Sequence, residues 1–292
     1  MTLLARFAPM LAAALLAATA TPAALAGTPH AMPLPEARAD LAARAQAAGG
    51  PLNYYGGSVF GNVKVASVMW GTGVSTKISN AIPGFSAALV NSTFVDAMSQ
   101  YDTFITGING QPGTNQHIAR GTYLGQTVIT PHNTARTLTD VDIQNELLLQ
   151  IQGGHLPPAD LNTLYMIYFP ANIRIKLDGS TSCVGFGAYH SSVYAQVNAA
   201  NVFYTVEPDC KSGLANITIA ASHEFVEAMT DNIPTPGSNP AYPQAWNNAT
   251  GYEAADLCGG SGKLTKGAKS WTVTQYWLNT TGRCSTGNYT SP

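Results

Sequence analysis

Apolar and polar positions set out a succession of elements along the chain. In NVKVASVMW (62–70), Val63, Val65, Val68, Met69 and Trp70, bounded by Gly61 and Gly71, predict a strand. Phe85, Leu89, Phe94, Val95 and Met98 then recur at helical spacing, with Pro83 near the start. GTYLGQTVIT (121–130) predicts a second strand. TDVDIQNELLLQIQGG (139–154) predicts an amphipathic helix capped by Thr139, with Ile143, Leu147 and Ile151 along one face and Gly153 at its end. The continuous apolar run TLYMIYFP (163–170), stopped by Pro170, fits a buried strand. CVGFGAYHSSV and NVFYTVEP give two more strands, LANITIAASHEFVEAMTD a helix, and WTVTQYWL (271–278) a late alternating strand after a loop-rich stretch. This order predicts one disulfide-stabilised α/β (α+β) domain over residues 51–292, with a mixed sheet packed on the helix that carries SHEFVEAMTD.

The ends read differently. Arg6, an alanine-rich apolar stretch and ALA before Gly27 have the form of a secretory signal over residues 1–26. Thr19, Thr21 and Pro22 interrupt the run before it reaches the length of a membrane span, and no later run is long enough to form one. Residues 27–50, rich in Ala and Pro and without an aromatic, are expected to be a linker, a short propeptide or a peripheral helix. The cysteines, Cys183, Cys210, Cys258 and Cys284, are even in number and lack C-x-x-C spacing, so disulfides are expected in an exported chain. Of the three possible pairings, Cys183–Cys210 and Cys258–Cys284 are favoured because each closes a local loop flanking the SHEFVEAMTD segment. Only 10% of the residues are charged, the net charge is −2 and no Lys/Arg cluster occurs. Nothing in that distribution neutralises a phosphate backbone, which argues against a nucleic-acid partner.

Against this sparse charge, His223, Glu224, Glu227 and Asp231 share one short helical segment. Positions 223, 227 and 231 lie on one helix face, and Glu224 sits beside His223 and three before Glu227. The neighbours are Ile217, Ile219, Ala220, Ala221, Phe225, Val226, Ala228 and Met229, and no Lys or Arg occurs from Gly213 to Gly262. A carboxylate withdrawn from water without a partner costs several kcal/mol, roughly. A divalent cation would neutralise the group. His-Glu-x-x-ligand on a helix is also the spacing by which zinc hydrolases hold their ion, with the intervening Glu as general base.

SHEFVEAMTD thus resembles the active-site helix of the zincin metallopeptidases, departing from it at Glu227, where a second histidine usually stands. YYGGSVFGNVKVASVMWG, GAYHSS, SHEFVEAMTD and GYEAADLC, in that order, also resemble exported bacterial proteins distantly similar to plant phosphate-induced (EXORDIUM-like) proteins. The zincin resemblance implies a zincin-like fold, bound Zn2+ (or Ca2+ or another divalent ion) and hydrolysis of a peptide or protein substrate. It implies His223 and Glu227 as metal ligands and Glu224 as general base. Glu253 is expected as the third ligand, with Asp256 second in preference. His190 is a further ligand or a transition-state donor, and Asp231 is expected to orient His223. His117, His132 and His155 are expected to be solvated.

Other chemistries fit less well. There is no G-x-S-x-G elbow, and GGSGK (259–263) lacks phosphate-loop spacing. A glycosidase pairing Glu224 with Glu227 or Glu253, with Tyr242, Trp246, Tyr252, Trp271, Tyr276 and Trp277 stacking on sugar, would leave His223 unused. A non-catalytic exported metal-binding or surface interaction module on the same scaffold is the remaining alternative. Mass spectrometry of the secreted protein without reduction is expected to give an N-terminus at Gly27 or later and no free thiol. Intact Met1, or four alkylatable cysteines, would refute the export reading.

Overall fold

A computed structural model describes residues 30–195, 200–235 and 239–287; the expected signal segment, 1–26, lies outside them. From its N-terminal end the chain forms β1 (His30–Met32), α1 (Arg38–Gly49), β2 (Asn53–Tyr54), β3 (Asn62–Met69) and α2 (Thr76–Leu89). Next come a short α3 (Thr93–Asp96) running into a 3-10 turn, β4 (Ala119–Val128), β5 (Thr137–Thr139), α4 (Asp140–Gln152) and β6 (Thr163–Phe169). The second half contains β7 (Arg174–Leu177), β8 (Ser180–Thr181), β9 (Ala188–Ala195), β10 (Ala200–Pro208) and α5 (Leu214–Thr230). It closes with β11 (Trp246–Asn247), β12 (Ser261–Lys266), β13 (Lys269–Thr274), β14 (Tyr276–Leu278) and β15 (Arg283–Ser285).

A six-stranded mixed sheet in the order β1-β9-β10-β6-β3-β4 organises the fold. β4, β3, β6 and β10 are parallel neighbours, whereas β9 runs antiparallel to β10 and β1 antiparallel to β9. The uninterrupted apolar run of β6 follows from burial on both faces. Leu164, Met166 and Tyr168 pack with residues of α2 and α5, while Tyr165, Ile167 and Phe169 pack with Ile143 and Leu147 of α4. The arrangement is therefore an α/β fold with helices on both sheet faces. Disulfides join Cys183 to Cys210 and Cys258 to Cys284, the local pairings. Among the described residues no helix is long and apolar enough to cross a membrane.

α5 is fastened along its length. Thr218 Oγ1 donates to the Thr272 carbonyl (2.6 Å), and Ser222 Oγ accepts from the Thr274 N–H (2.8 Å), which ties the helix to β13. At its C-terminal turn the Met229 carbonyl accepts from the Phe60 N–H (3.1 Å), satisfying a group that the helix cannot pair internally.

Two sequence expectations are redrawn. The helical spacing from Phe85 to Met98 spans a break: α2 ends at Leu89 and contains Pro83 in its interior. The Val90 carbonyl accepts from Gly121 of β4 (2.8 Å), and the Leu89 carbonyl accepts from Ser92 Oγ (3.1 Å). Both pairings compete with continuation of the helix, while Phe94, Val95 and Met98 still face the same core. WTVTQYWL likewise divides at Gln275, whose N–H donates to the Gly260 carbonyl (3.0 Å). β13 pairs with β12 on one side of that point, and β14 with β15 on the other.

Residues 30–50 pack against the body. β1 extends the sheet, Ala42 and Ala45 of α1 are buried, the Ala45 carbonyl accepts from Asn248 Nδ2 (3.2 Å), and Gln46 donates to the Leu257 carbonyl.

The Thr139 cap forms as expected: its Oγ1 accepts from the Asp142 N–H (3.2 Å), and the Asp142 carboxylate accepts from the Thr139 N–H (2.7 Å). Thr139→Ala removes this reciprocal box and is expected to destabilise the fold by about 1 kcal/mol. A lower urea midpoint with an unchanged slope would show it.

Candidate metal centre

The C-terminal half of α5 is buried all round, which its run of Ala, Phe, Val and Met side chains requires. This burial carries His223, Glu224 and Glu227 with it. His190 enters from β9: Tyr189 faces the α4 side, where its hydroxyl donates to Asp140 (2.7 Å), and the strand alternation turns His190 toward α5. Glu207 lies on β10. Glu253 and Asp256 come from the turn before Cys258, where Asp256 caps the Glu253 N–H (3.2 Å) and the Ala254 carbonyl accepts from the Trp277 N–H (2.8 Å). His30 arrives from β1, whose register sets it opposite His190. All of these side chains except His30 belong to residues no more than 5% exposed; the His30 side chain is 20% exposed.

Glu227 lies at the centre. Its Oε1 is 2.9 Å from His223 Nε2, and its Oε2 is 3.6 Å from His190 Nδ1. Asp256 Oδ1 is 3.5 Å from His223 Nε2, and Asp256 Oδ2 is 2.7 Å from His30 Nε2. Glu224 Oε2 and His190 Nδ1 are 3.3 Å apart. Glu253 Oε2 lies 3.3 Å from His30 Nδ1, and its Oε1 lies 3.6 Å from His190 Nε2. Three sets of potential ligand atoms gather within 4.8 Å: His223 with Glu227 and Asp256, His190 with Glu224 and Glu227, and His30 with Glu227 and Glu253.

These short separations are not hydrogen bonds throughout. Both ring nitrogens of His223, Glu224 Oε1 and both carboxylate oxygens of Glu227 and of Glu253 are buried without a hydrogen-bond partner. For His223 Nε2 and Glu227 Oε1 the distance is that of an ion pair, but the alignment is not that of a hydrogen bond. Lone pairs that approach one another without pairing suit a common cation. Donors about 2.0–2.2 Å from a tetrahedral ion stand roughly 3.3 Å apart, and the His223–Glu227 and His223–Asp256 distances bracket that value.

The electrostatics follow from crowding. Burial, then the neighbouring carboxylates, push Glu224 and Glu253 well above the usual carboxylate range. Burial and Asp256 raise Glu227, and burial lifts Glu207 to about 8. Burial opposes the charge on His30 and His223, but Asp256 and Glu227 overcome it and raise both to about 9. Burial also opposes ionisation of Asp256, yet the two flanking imidazoles hold it well below the usual carboxylate range. His190 goes the other way: burial and the nearby His30 keep it neutral. Without a metal, protons neutralise much of the cluster.

The fold brings His190, His223, Glu224, Glu227, Glu253 and Asp256 together here. Asp256 rather than Glu253 is the acid at His223. Asp231 does not orient His223. Its carboxylate accepts from the Ala245 N–H (3.0 Å) and from Asn247 Nδ2 (2.6 Å), and its carbonyl faces His190 Nε2 (3.2 Å). Burial raises the Asp231 carboxyl to about 7 despite those two donors. His30 and Glu207 were not anticipated. His30 sits in a Pro- and Ala-containing stretch with no periodicity, and Glu207 is one acid within an apolar strand. Its only cue was an acid inside NVFYTVEP. His117, His132 and His155 are exposed and away from the cluster. Of the aromatics considered as sugar platforms, Trp246, Trp271 and Tyr276 belong to the core. Comparison of the chain with protein-family models, curated proteins and solved structures returned no match.

An ion bound here stabilises the folded state by mass action, about 2.7 kcal/mol at a free concentration a hundred times the dissociation constant. Zinc is therefore expected to raise the melting temperature of the protein and chelation to lower it. His223→Ala should shrink the difference, as scanning calorimetry with and without chelator would reveal.

Proposed function

We propose that the chain is an exported, zincin-type metallopeptidase. In this reading His223, Glu227 and Asp256 hold the ion and Glu224 accepts a proton from the attacking water. The observation that carries it is the set of buried, unpaired lone pairs on His223 and Glu227 beside Asp256, next to a second carboxylate, Glu224, with one unpaired oxygen. When bound, zinc supplies an acidified water and polarises a carbonyl. Imidazole donors favour zinc and similar transition metals over calcium, which takes oxygen ligands. The chain's own groups do the rest. Glu224 is buried with Oε1 unpaired and Oε2 3.3 Å from His190, a placement that lets its carboxylate take a proton and pass it to a leaving amine. His190, held neutral and 3.3 Å from Glu224, can orient that carboxylate. Two disulfides support an oxidising, extracellular or periplasmic destination.

The enclosure of the cluster favours a second reading, a metal-binding module without turnover, because only His30 is appreciably exposed. Glu224→Gln separates the two. It keeps the shape of the side chain but cannot accept the proton, so it should retain metal while losing about a hundredfold to ten-thousandfold in peptide hydrolysis. Chelation should silence the wild type. Hydrolysis unchanged in Glu224→Gln would exclude this base, and metal bound without hydrolysis of a broad peptide library would favour the module.

A further inference from the structure

The single-ion reading leaves Glu253 without a role. It is fully buried, neither of its oxygens has a hydrogen-bond partner, and an uncompensated buried carboxylate is strongly disfavoured. Its nearest imidazole is His30, with Nδ1 at 3.3 Å, the spacing of two donors on one tetrahedral ion. Glu227 completes the group, its ligand atom lying within 4.8 Å of those of His30 and Glu253.

We propose that a second divalent cation binds between His30, Glu253 and Glu227, making a two-ion centre in which Glu227 is the shared carboxylate. The proposal rests on the single-ion reading only through Glu227. The two nitrogens of His30 are already divided between roles. Nε2 is hydrogen-bonded to Asp256 Oδ2 at 2.7 Å, which leaves Nδ1 directed at Glu253. An imidazole held by a carboxylate through one nitrogen and offering the other to a metal is the usual support of a metal-bound histidine. Asp256 thereby links the halves, with Oδ1 toward His223 and Oδ2 toward His30.

Charge points the same way. Four buried acids, Glu224, Glu227, Glu253 and Asp256, gather with the imidazoles of His30, His190 and His223, and one divalent ion leaves anionic excess that a second reduces. The second position also lies nearest solvent, since His30 alone of the cluster is appreciably exposed. Its ion is therefore expected to exchange faster than the first, and it binds the β1 segment to the acidic turn.

The full disulfide-bonded chain, titrated with zinc alone and followed by calorimetry and elemental analysis, should take up two equivalents. His30→Ala and Glu253→Gln should each take up one, and manganese should give a spin-coupled electron paramagnetic resonance signal only in the wild type. Glu253→Gln preserves side-chain volume and guards against loss of fold in either variant. A single equivalent in the wild type, with His30→Ala unchanged, overturns the second position and leaves the single-ion reading standing. Two equivalents retained in both variants also overturn it. A wild type that binds no ion defeats both readings together.

Discussion

Everything in this fold bears on one electrostatic constraint. Glu224, Glu227, Glu253 and Asp256 crowd together with His190, His223 and the partly exposed His30, and the chain offers no Lys or Arg between Gly213 and Gly262 to balance them. Attraction between buried opposite charges repays desolvation only with good geometry and complete pairing. Here the pairing is incomplete, because oxygens of Glu224, Glu227 and Glu253 and both nitrogens of His223 find no hydrogen bond. Crowding and burial favour protons on Glu224, Glu227 and Glu253, while His30 and His223 keep Asp256 ionised. A metal ion would relieve the repulsion more completely, using the lone pairs that the protein leaves unpaired.

The scaffold holds these groups together against their repulsion. α5 is bonded to β13 through Thr218 and Ser222 and capped by Phe60. β9 is paired on both edges, which fixes His190. The acidic turn is clamped from several directions: Asp256 binds the Glu253 N–H, Ala254 binds Trp277, and the Cys258–Cys284 disulfide closes behind it. Asp231 serves the same end. Its carboxylate draws in Ala245 and Asn247, so the chain leaving α5 is stitched to the strand that leads toward the turn. These attachments let strongly interacting groups remain between 2.7 and 3.6 Å apart without the helix or turn separating, the preorganisation that a metal centre needs.

The N-terminal segment has a particular place in this arrangement. α1 is a weakly amphipathic helix, yet Ala42 and Ala45 are buried, and Ala45 and Gln46 bond to Asn248 and Leu257 in the loop that carries the two acids. β1 adds only three residues to the sheet, but its register places His30 over the cluster. A segment that contributes little to the core therefore contributes a charged partner to the site.

Local chemistry alone determined much of this protein. The apolar pattern was enough for β3, β6 and α4: a continuous run marks β6, buried on both faces, and spacing marks α4, while the Thr139 cap is a contact across three residues. The grouping of His223, Glu224 and Glu227 was also legible, since helix geometry converts spacing of one, three and four into proximity. Tertiary structure decided what depends on separation. Whether Glu253 or Asp256 meets His223 turns on the path of a loop that no periodicity describes. The end of α2 turns on a hydrogen bond to β4, and the division of WTVTQYWL on the partners available to each half. His30 was invisible in sequence, because it reaches Asp256 across 226 residues through a three-residue strand that pairs with β9 on the side opposite β10.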